Sequence, residues 1–236
     1  MVTGGGEAVR VAEMFEAVAR ALASPQDLPS TLEEIARLAV VHLDACDYAG
    51  FSLVEGRTFT SPATDDAVPR TLDRIQSEVG EGPCLDAIAH HDVFQTGDLA
   101  GEGRWPRFAH RAHEETGVSS VLSIRLFIDR DTMGALNLYA LASDAFDEAD
   151  VALASVFAAH AAVAMAGARR ESNLVRKAAN RELIGEAKGI LMARSDIDED
   201  AAFDLLRRAS QRLNIKVTEV ADQIVHPPPE APLPDF

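Results

Sequence analysis

The stretch RELIGEAKGILMARSDIDEDAAFDLLRRASQRLNIKVTEVADQIV, residues 181–225, is the most informative part of the chain. Its apolar residues recur at the i, i+3, i+4, i+7 spacing of amphipathic helices. They fall into three sets: Leu183, Ala187 and Ile190; Ala202, Leu206 and Ala209; Val217, Val220 and Ile224. The acids of SDIDED can cap the second helix, and the prolines at 227–229 end the third. The spacing therefore predicts three helices around one small core.

Three motifs within this stretch, IGEAKGILMAR, DEDAAFDLLRRAS and KVTEVADQIV, resemble the ANTAR domain in their order and spacing. The resemblance covers nearly the whole stretch. It implies a regulator of transcription antitermination that binds RNA hairpins in a nascent transcript. Lys188 lies outside the apolar stripe, between two small residues, where packing does not require a lysine. We expect RNA contacts from the basic residues of the stretch: Arg181, Lys188, Arg194, Arg207, Arg208 and Lys216.

Charge is distributed unevenly between the two halves of the chain. Residues 1–168 carry 11 Arg and no Lys against 26 acidic residues, a net charge of −15. Residues 169–226 carry 11 basic and 10 acidic residues, including all three lysines of the chain. An overall charge of −16 excludes unspecific coating of nucleic acid, so any RNA contact must be local. A small basic patch binds weakly by itself, which favours two copies acting together.

Length and composition limit the class of protein. A chain of 236 residues that is 47% apolar can form one domain of roughly 150 residues and a small appendage. No signal peptide is evident, there are two cysteines, and no apolar run approaches the ~20 residues that span a bilayer. We expect a cytoplasmic protein with reduced thiols and no membrane segment. Residues 1–10 and 227–236 are rich in Gly or Pro and are predicted to be disordered.

The first 165 residues alternate between helical and strand patterns. Helical spacing predicts helices over 11–23 and 28–43, with further helices at about 65–78, 83–90 and 104–116. Five short segments read as strands because they are β-branched or aromatic and partly alternating: YAGFSLVEG, RTFTS, DVFQTGD, SSVLSIRLFID and MGALNLYAL. The pattern predicts an α+β fold in which helices flank an antiparallel sheet.

This half of the chain resembles a GAF domain of the kind that precedes ANTAR domains. The match rests on VGEGPCLDAI, TGDLAGEGRWPRFAHRAHEETGVSSVLSIRL and MGALNLYALASDAFDEADVALASVFAAHAAVAMAGA. The resemblance implies a sensor or dimerisation module whose small-molecule ligand lies between the sheet and its covering loops. GAF domains share no single ligand, so the cofactor stays unknown. The pocket is placed near Cys84, Leu85, Trp105 and Asn137.

Several constellations could suggest an enzyme or a metal site, and each has a simpler interpretation. Cys84 with His90 and His91 could pair a thiol with a base, but their spacing does not place the histidines against the thiol. No catalytic acid or oxyanion-stabilising group is identifiable beside them. His110 and His113 have the i, i+3 spacing of metal ligands without a carboxylate partner. The glycines of VGEGP and AGEGR match no phosphate loop and read as turns. Trp105 reads as a core anchor. We expect no catalysis and no metal.

The connection between the halves has no proline from Asp147 to about Met192 and predicts one long helix. Small side chains dominate its stripe, which permits close pairing with a second copy: Leu153, Val156, Phe157, His160, Val163, Ala164, Gly167 and Ala168. We therefore expect a homodimer. The expected boundaries are a GAF sensor at 11–165, a signalling helix at 166–180 and a three-helix ANTAR domain at 181–226.

The sequence thus favours a GAF and ANTAR regulator that catalyses no reaction. Two alternatives stay open. VTEVADQIV resembles the second half of a helix-turn-helix, which would make the chain a DNA-binding transcription factor. The chain could also be a ligand-sensing or hydrolytic GAF module whose C-terminal helices only oligomerise.

Overall fold

The computed structural model describes residues 4–23, 27–55, 58–63, 66–90, 93–128 and 131–227. The chain divides into two compact units, Met1–Ala168 and Arg169–Phe236. Residues 228–236, most of the tail predicted to be disordered, lie outside the described residues, as do residues 1–3.

Five strands of the first unit form an antiparallel sheet in the order β2-β1-β5-β4-β3. The strands are β1 (Tyr48–Glu55), β2 (Thr58–Ala63), β3 (Val93–Thr96), β4 (Ser120–Ile128) and β5 (Asp131–Ala140). The central strand, β5, places Asn137 opposite Gly50 of β1 and opposite Ser123 of β4. All five strands predicted from β-branched and aromatic content are confirmed.

Five helices accompany the sheet: α1 (Gly4–Ala23), α2 (Leu28–His42), α3 (Ala67–Val79), α4 (Pro83–His90) and α5 (Pro106–Thr116). Asp27 and Asp66 cap α2 and α3 by accepting hydrogen bonds from backbone N–H groups. The expectation of disorder over residues 1–10 is wrong from Gly4 onward, because α1 begins there. The residues after Gly6 form helices readily and continue the helical pattern.

The two faces of the sheet carry separate cores, as the alternation of side chains along a strand requires. On one face, Leu122, Leu136 and Leu138 pack with α2 and with the long helix α6 (Glu148–Ser195). On the other face, Val121 and Tyr139 pack with residues of α3 and α5. The first unit is therefore an α+β sandwich with helices on both faces, which confirms the predicted fold class.

The second unit contains the C-terminal part of α6, α7 (Glu199–Leu213) and α8 (Val217–Val225). Asp198 caps α7 by accepting from the Ala201 N–H at 2.8 Å, and Asn214 ends it in the left-handed conformation. Six of the nine residues in the three predicted sets are buried: Ala187, Ala202, Leu206, Ala209, Val220 and Ile224. The other three, Leu183, Ile190 and Val217, are half-buried, and Leu191 and Ala221 complete the core. The first of the three predicted helices is not separate, since it is the end of the 48-residue α6.

Part of α6 is more apolar than we expected from the sequence. An 18-residue window has a mean hydropathy of 1.8, which by length and composition would suffice to cross a membrane. The expectation that no apolar run approaches that length is therefore wrong. Within the first unit, Ala154, Phe157 and Met165 of α6 are buried in the core on the sheet. That packing accounts for part of the apolar composition, because a helix that covers a sheet needs an apolar face and 39% of the window is buried.

Candidate functional site

The C-terminal part of α6 presents a basic face. Lys177, Arg181 and Lys188 line one open groove together with Asn180 and Ile184. Their spacing of i, i+4 and i+11 places all three cations on the same side of the helix. Arg181 and Lys188 were predicted from the sequence, whereas Lys177 was not. Helical spacing counted back from Arg181 would have identified it.

Lys188 is held in place by an acid of the next helix. Its Nζ donates to Glu199 Oε1 at the start of α7, and only 21% of its side chain is exposed. This hydrogen bond is the largest cause of the lowered pKa of Glu199. Lys188 thus has a structural partner that the sequence did not reveal, and a phosphate would have to compete with that carboxylate.

The other predicted cations are exposed on different sides of the unit. Arg207 forms an ion pair with Asp204 at 3.0 Å on α7. Arg208 follows it directly and points about 100° away around the helix axis. Arg194 lies in the last turn of α6, and Lys216 occupies the N-cap position of α8. The groove therefore unites two of the six predicted residues, and the remaining four are dispersed.

In the first unit, three of the four predicted pocket residues are part of the packed interior. Cys84, Trp105 and Asn137 are buried, and Leu85 is half-buried. Trp105 Nε1 donates to Asp86 Oδ2 at 2.7 Å, and Arg104 stacks over the indole at 4.5 Å. Trp105 therefore has the role of core anchor that the sequence favoured.

A chain of buried hydrogen bonds crosses the sheet and ends on one carboxylate. Ser123 Oγ donates to Asn137 Oδ1, and Asn137 Nδ2 donates to Ser52 Oγ, each at 2.7 Å. Ser52 Oγ in turn donates to Asp73 Oδ1 at 2.8 Å, and Ser61 Oγ donates to Asp73 Oδ2. Because every donor points towards Asp73, the dipoles add along the chain and support a charge at its end.

Burial nevertheless raises the pKa of Asp73 to about 6, since desolvation outweighs the two serine hydrogen bonds. Burial also raises the pKa of the Cys84 thiol to about 12, and the nearby Asp73 carboxylate adds to the rise. The same cause raises the pKa of the Cys46 thiol to about 12. Thiolate, the reactive form, is therefore scarce at both cysteines near neutral pH.

The loop between α3 and α4 closes around the side chain of Gln76. Its Oε1 accepts from the Cys84 N–H at 3.0 Å, and a Cβ built at Gly82 would lie 2.3 Å from that oxygen. Gln76 Nε2 and Tyr139 Oη are buried, and neither has a hydrogen-bond partner among the residues that the structure describes. Asp73, Gln76 and Tyr139 were not predicted from the sequence. The signal for the first two was a pair of polar residues beside Leu72 and Ile75 on the apolar face of α3.

The constellations that could suggest catalysis or metal binding are not assembled. The side chain of His90 is 67% exposed, whereas Cys84 is fully buried. His91 lies outside the described residues. His113 Nδ1 lies 2.9 Å from the Val118 carbonyl, and His110 lies near Glu114 on the surface. Within the part of the chain that the structure describes, no group of three or more His, Cys, Asp or Glu residues could hold a metal ion.

Comparison with known folds agrees with this architecture. The GAF domain of a phosphoenolpyruvate-protein phosphotransferase from Acinetobacter is 15% identical, with a TM-score of 0.56, covering 70% of this chain and 98% of that chain. Its counterpart from Coxiella burnetii is 18% identical, with a TM-score of 0.56 and coverage of 70% and 96%. A free methionine-R-sulfoxide reductase from Neisseria meningitidis is 19% identical, with a TM-score of 0.50 and coverage of 69% and 93%. At these identities the similarity shows the fold alone.

No curated protein matches the chain. Two family models do: residues 25–166 match the GAF domain, and residues 172–225 match the ANTAR domain. The first match covers the sheet with its chain of buried hydrogen bonds, and the second covers the basic face of α6 together with α7 and α8. The chain therefore belongs to the GAF family and joins a GAF domain to an ANTAR domain, the architecture of a GAF and ANTAR regulator.

Proposed function

We propose that this chain is an RNA-binding regulator of transcription antitermination. Its ANTAR domain binds hairpins in a nascent transcript, and its GAF domain controls how that surface is presented. The observation that carries the proposal is the groove of Lys177, Arg181 and Lys188 on the ANTAR part of α6. Clustered cations release counterions from a phosphate backbone, which is the main source of affinity for nucleic acid.

The GAF domain does not supply the RNA contact in this proposal. Residues 1–168 carry a net charge of −15 and repel phosphate. Their role is to sense a signal, with a small molecule as the ligand class that the fold accommodates. We propose a non-catalytic domain, because the thiols of Cys46 and Cys84 are buried and their pKa values are raised to about 12.

A homodimer is the second part of the proposal. Ala152, Ala159 and Val163 share an exposed face of α6 within the GAF domain, and Val163 is 57% exposed. Small side chains let two helices approach closely. The stripe predicted from the sequence lies only partly on this face, since Phe157 is buried in the core. A dimer presents two ANTAR domains to one transcript at high effective concentration.

RNA fits the ANTAR surface better than DNA does. The helix-turn-helix alternative would use α8 for base recognition, and that helix exposes Glu219 and Asp222. Both carboxylates would face the phosphates of a DNA groove, at a cost in affinity. We also propose a cytoplasmic location, where nascent transcripts are available.

The test is equilibrium binding by the full chain to short RNA hairpins with a fixed stem and a randomised loop. The comparison probes are DNA hairpins of the same design and the RNA stem as a blunt duplex. We expect hairpin RNA to bind most tightly and a subset of loops to be enriched on selection. Equal affinity for the DNA and RNA hairpins, or no binding to either, would refute the proposal.

A further inference from the structure

The ANTAR domain exposes an aromatic ring that its own packing does not use. Phe203 on α7 is 42% exposed, while Ala202 and Leu206 beside it are fully buried. It is the sole Phe, Tyr or Trp in residues 169–235. An aromatic side chain at the surface leaves part of its ring open to a stacking partner.

Phe203 lies beside the cations of the proposed RNA surface. Glu199, Phe203 and Arg207 are spaced at i, i+4 and i+8, and so they follow one another along one face of α7. Glu199 contacts Lys188 of the α6 groove, and Arg207 is exposed with its partner Asp204 at 3.0 Å. The ring therefore lies one helical turn from Arg207 and one turn from Glu199, the carboxylate that contacts Lys188.

A flat ring on a surface that also carries cations matches the chemistry of a single-stranded nucleotide. Cations bind the phosphates, and the ring provides a stacking platform for a base. Bases within a duplex are already stacked on their neighbours, whereas the bases of a loop can be turned outward. Lys188, which contacts Glu199 on this face, also lines the groove with Lys177 and Arg181, and these three cations favour a polyanion over an apolar protein partner.

We propose that Phe203 stacks on an unpaired base of the RNA hairpin loop and so distinguishes looped from fully paired RNA. The inference rests on the proposed RNA-binding function and assigns the recognised element within it. Lys177, Arg181 and Lys188 bind the RNA backbone independently of the RNA sequence. The Phe203 ring adds affinity only where an unpaired base is present to stack on it.

The test measures the affinity of the full chain for the randomised-loop hairpin pool and for the blunt RNA duplex of the same stem. Phe203→Ala is expected to weaken hairpin binding by about 5-fold to about 150-fold, because stacking one base on a ring is worth about 1–3 kcal/mol. Duplex binding should not change. Phe203→Trp should restore hairpin affinity, and its indole fluorescence should be quenched by the hairpin, whereas Phe203→Leu should not restore it.

Leu213→Ala is the matched control, since Leu213 is a similarly exposed apolar residue, 45% exposed, at the end of the same helix. The control should bind hairpins as the wild type does. Wild-type hairpin affinity in Phe203→Ala would overturn the stacking role while leaving RNA binding intact. A changed oligomeric state with unchanged hairpin affinity would also overturn it and would assign Phe203 to a protein interface. Absence of hairpin binding by the wild type would instead refute the proposed function itself.

Discussion

The buried carboxyl of Asp73 should make the stability of the GAF domain depend on pH in an unusual direction. Its pKa is raised from the ordinary 3.8 to about 6 in the folded protein. A rise of about 2 pKa units corresponds to ~3 kcal/mol of preference for the protonated form. The folded state therefore binds this proton more tightly than the unfolded chain does. The resulting stabilisation is fully present below about pH 4 and is lost as the pH rises through about 6.

Asp73→Asn removes this dependence while it preserves the hydrogen-bonding chain. The amide keeps an acceptor for Ser52, and the hydroxyl of Ser61 can turn to accept from the new NH₂ group. Relative to the wild type, the variant should gain up to ~3 kcal/mol of stability between pH 4 and pH 7.5. Comparing the two proteins cancels the titration of all other groups, including Glu102, whose pKa its Arg104 partner lowers to about 2.

Urea unfolding followed by tryptophan fluorescence provides the assay, because Trp105 is the single tryptophan and is buried in the GAF domain. The signal therefore reports that domain without contribution from the ANTAR domain. Asp66→Asn is the control, since Asp66 is an exposed N-cap that Asn replaces well. A stability difference between wild type and Asp73→Asn that stays constant from pH 4 to pH 7.5 would refute the reasoning.

Three further outcomes follow from the structure. Gly82→Ala should destabilise the GAF domain by about 1–3 kcal/mol in urea unfolding, because φ is +147° and the added Cβ would clash with Gln76. Gly103→Ala is the control and should not destabilise the domain, since its added Cβ meets nothing within 4 Å. Iodoacetamide should modify Cys84 only in denaturant, because burial raises the pKa of its thiol to about 12. Rapid alkylation of the folded protein near neutral pH would instead support a catalytic thiol. Ala178→Pro should interrupt α6 at a helix cost of about 3 kcal/mol and weaken RNA binding. The unfolding of the GAF domain, followed by Trp105 fluorescence, should stay unchanged. Wild-type RNA affinity in this variant would argue against signalling along the helix.

The fold could be predicted from the sequence because local patterns encode it. Strand alternation and helical spacing located the five strands and the helices that flank the sheet. The errors occurred where local preference is weak. The three glycines at the start of α1 suggested disorder, although a helix begins at Gly4. The burial of α6 on the sheet was also needed to explain its high mean hydropathy.

The site was less predictable because its contacts are far apart in the sequence. Ser52 and Asp73 are 21 residues apart, and Ser52 and Asn137 are 85 residues apart, so no spacing rule relates them. The ion pair between Lys188 and Glu199 likewise depends on how α6 and α7 pack. Lys177 was different, since helical spacing alone places it on the face of Arg181.

The salt dependence of hairpin binding tests whether the basic face of α6 binds RNA phosphates. The measurement compares Arg181→Ala/Lys188→Ala with Arg20→Ala/Arg37→Ala, which removes two cations of the first unit that have acidic partners at 3.2 Å and 2.6 Å. We predict that the first variant lowers the slope of log K against log salt by about 1 to 2, because two phosphate contacts are lost. The second variant should keep the wild-type slope. Equal slopes in all three proteins would contradict the account, because the groove would then contribute nothing to RNA binding.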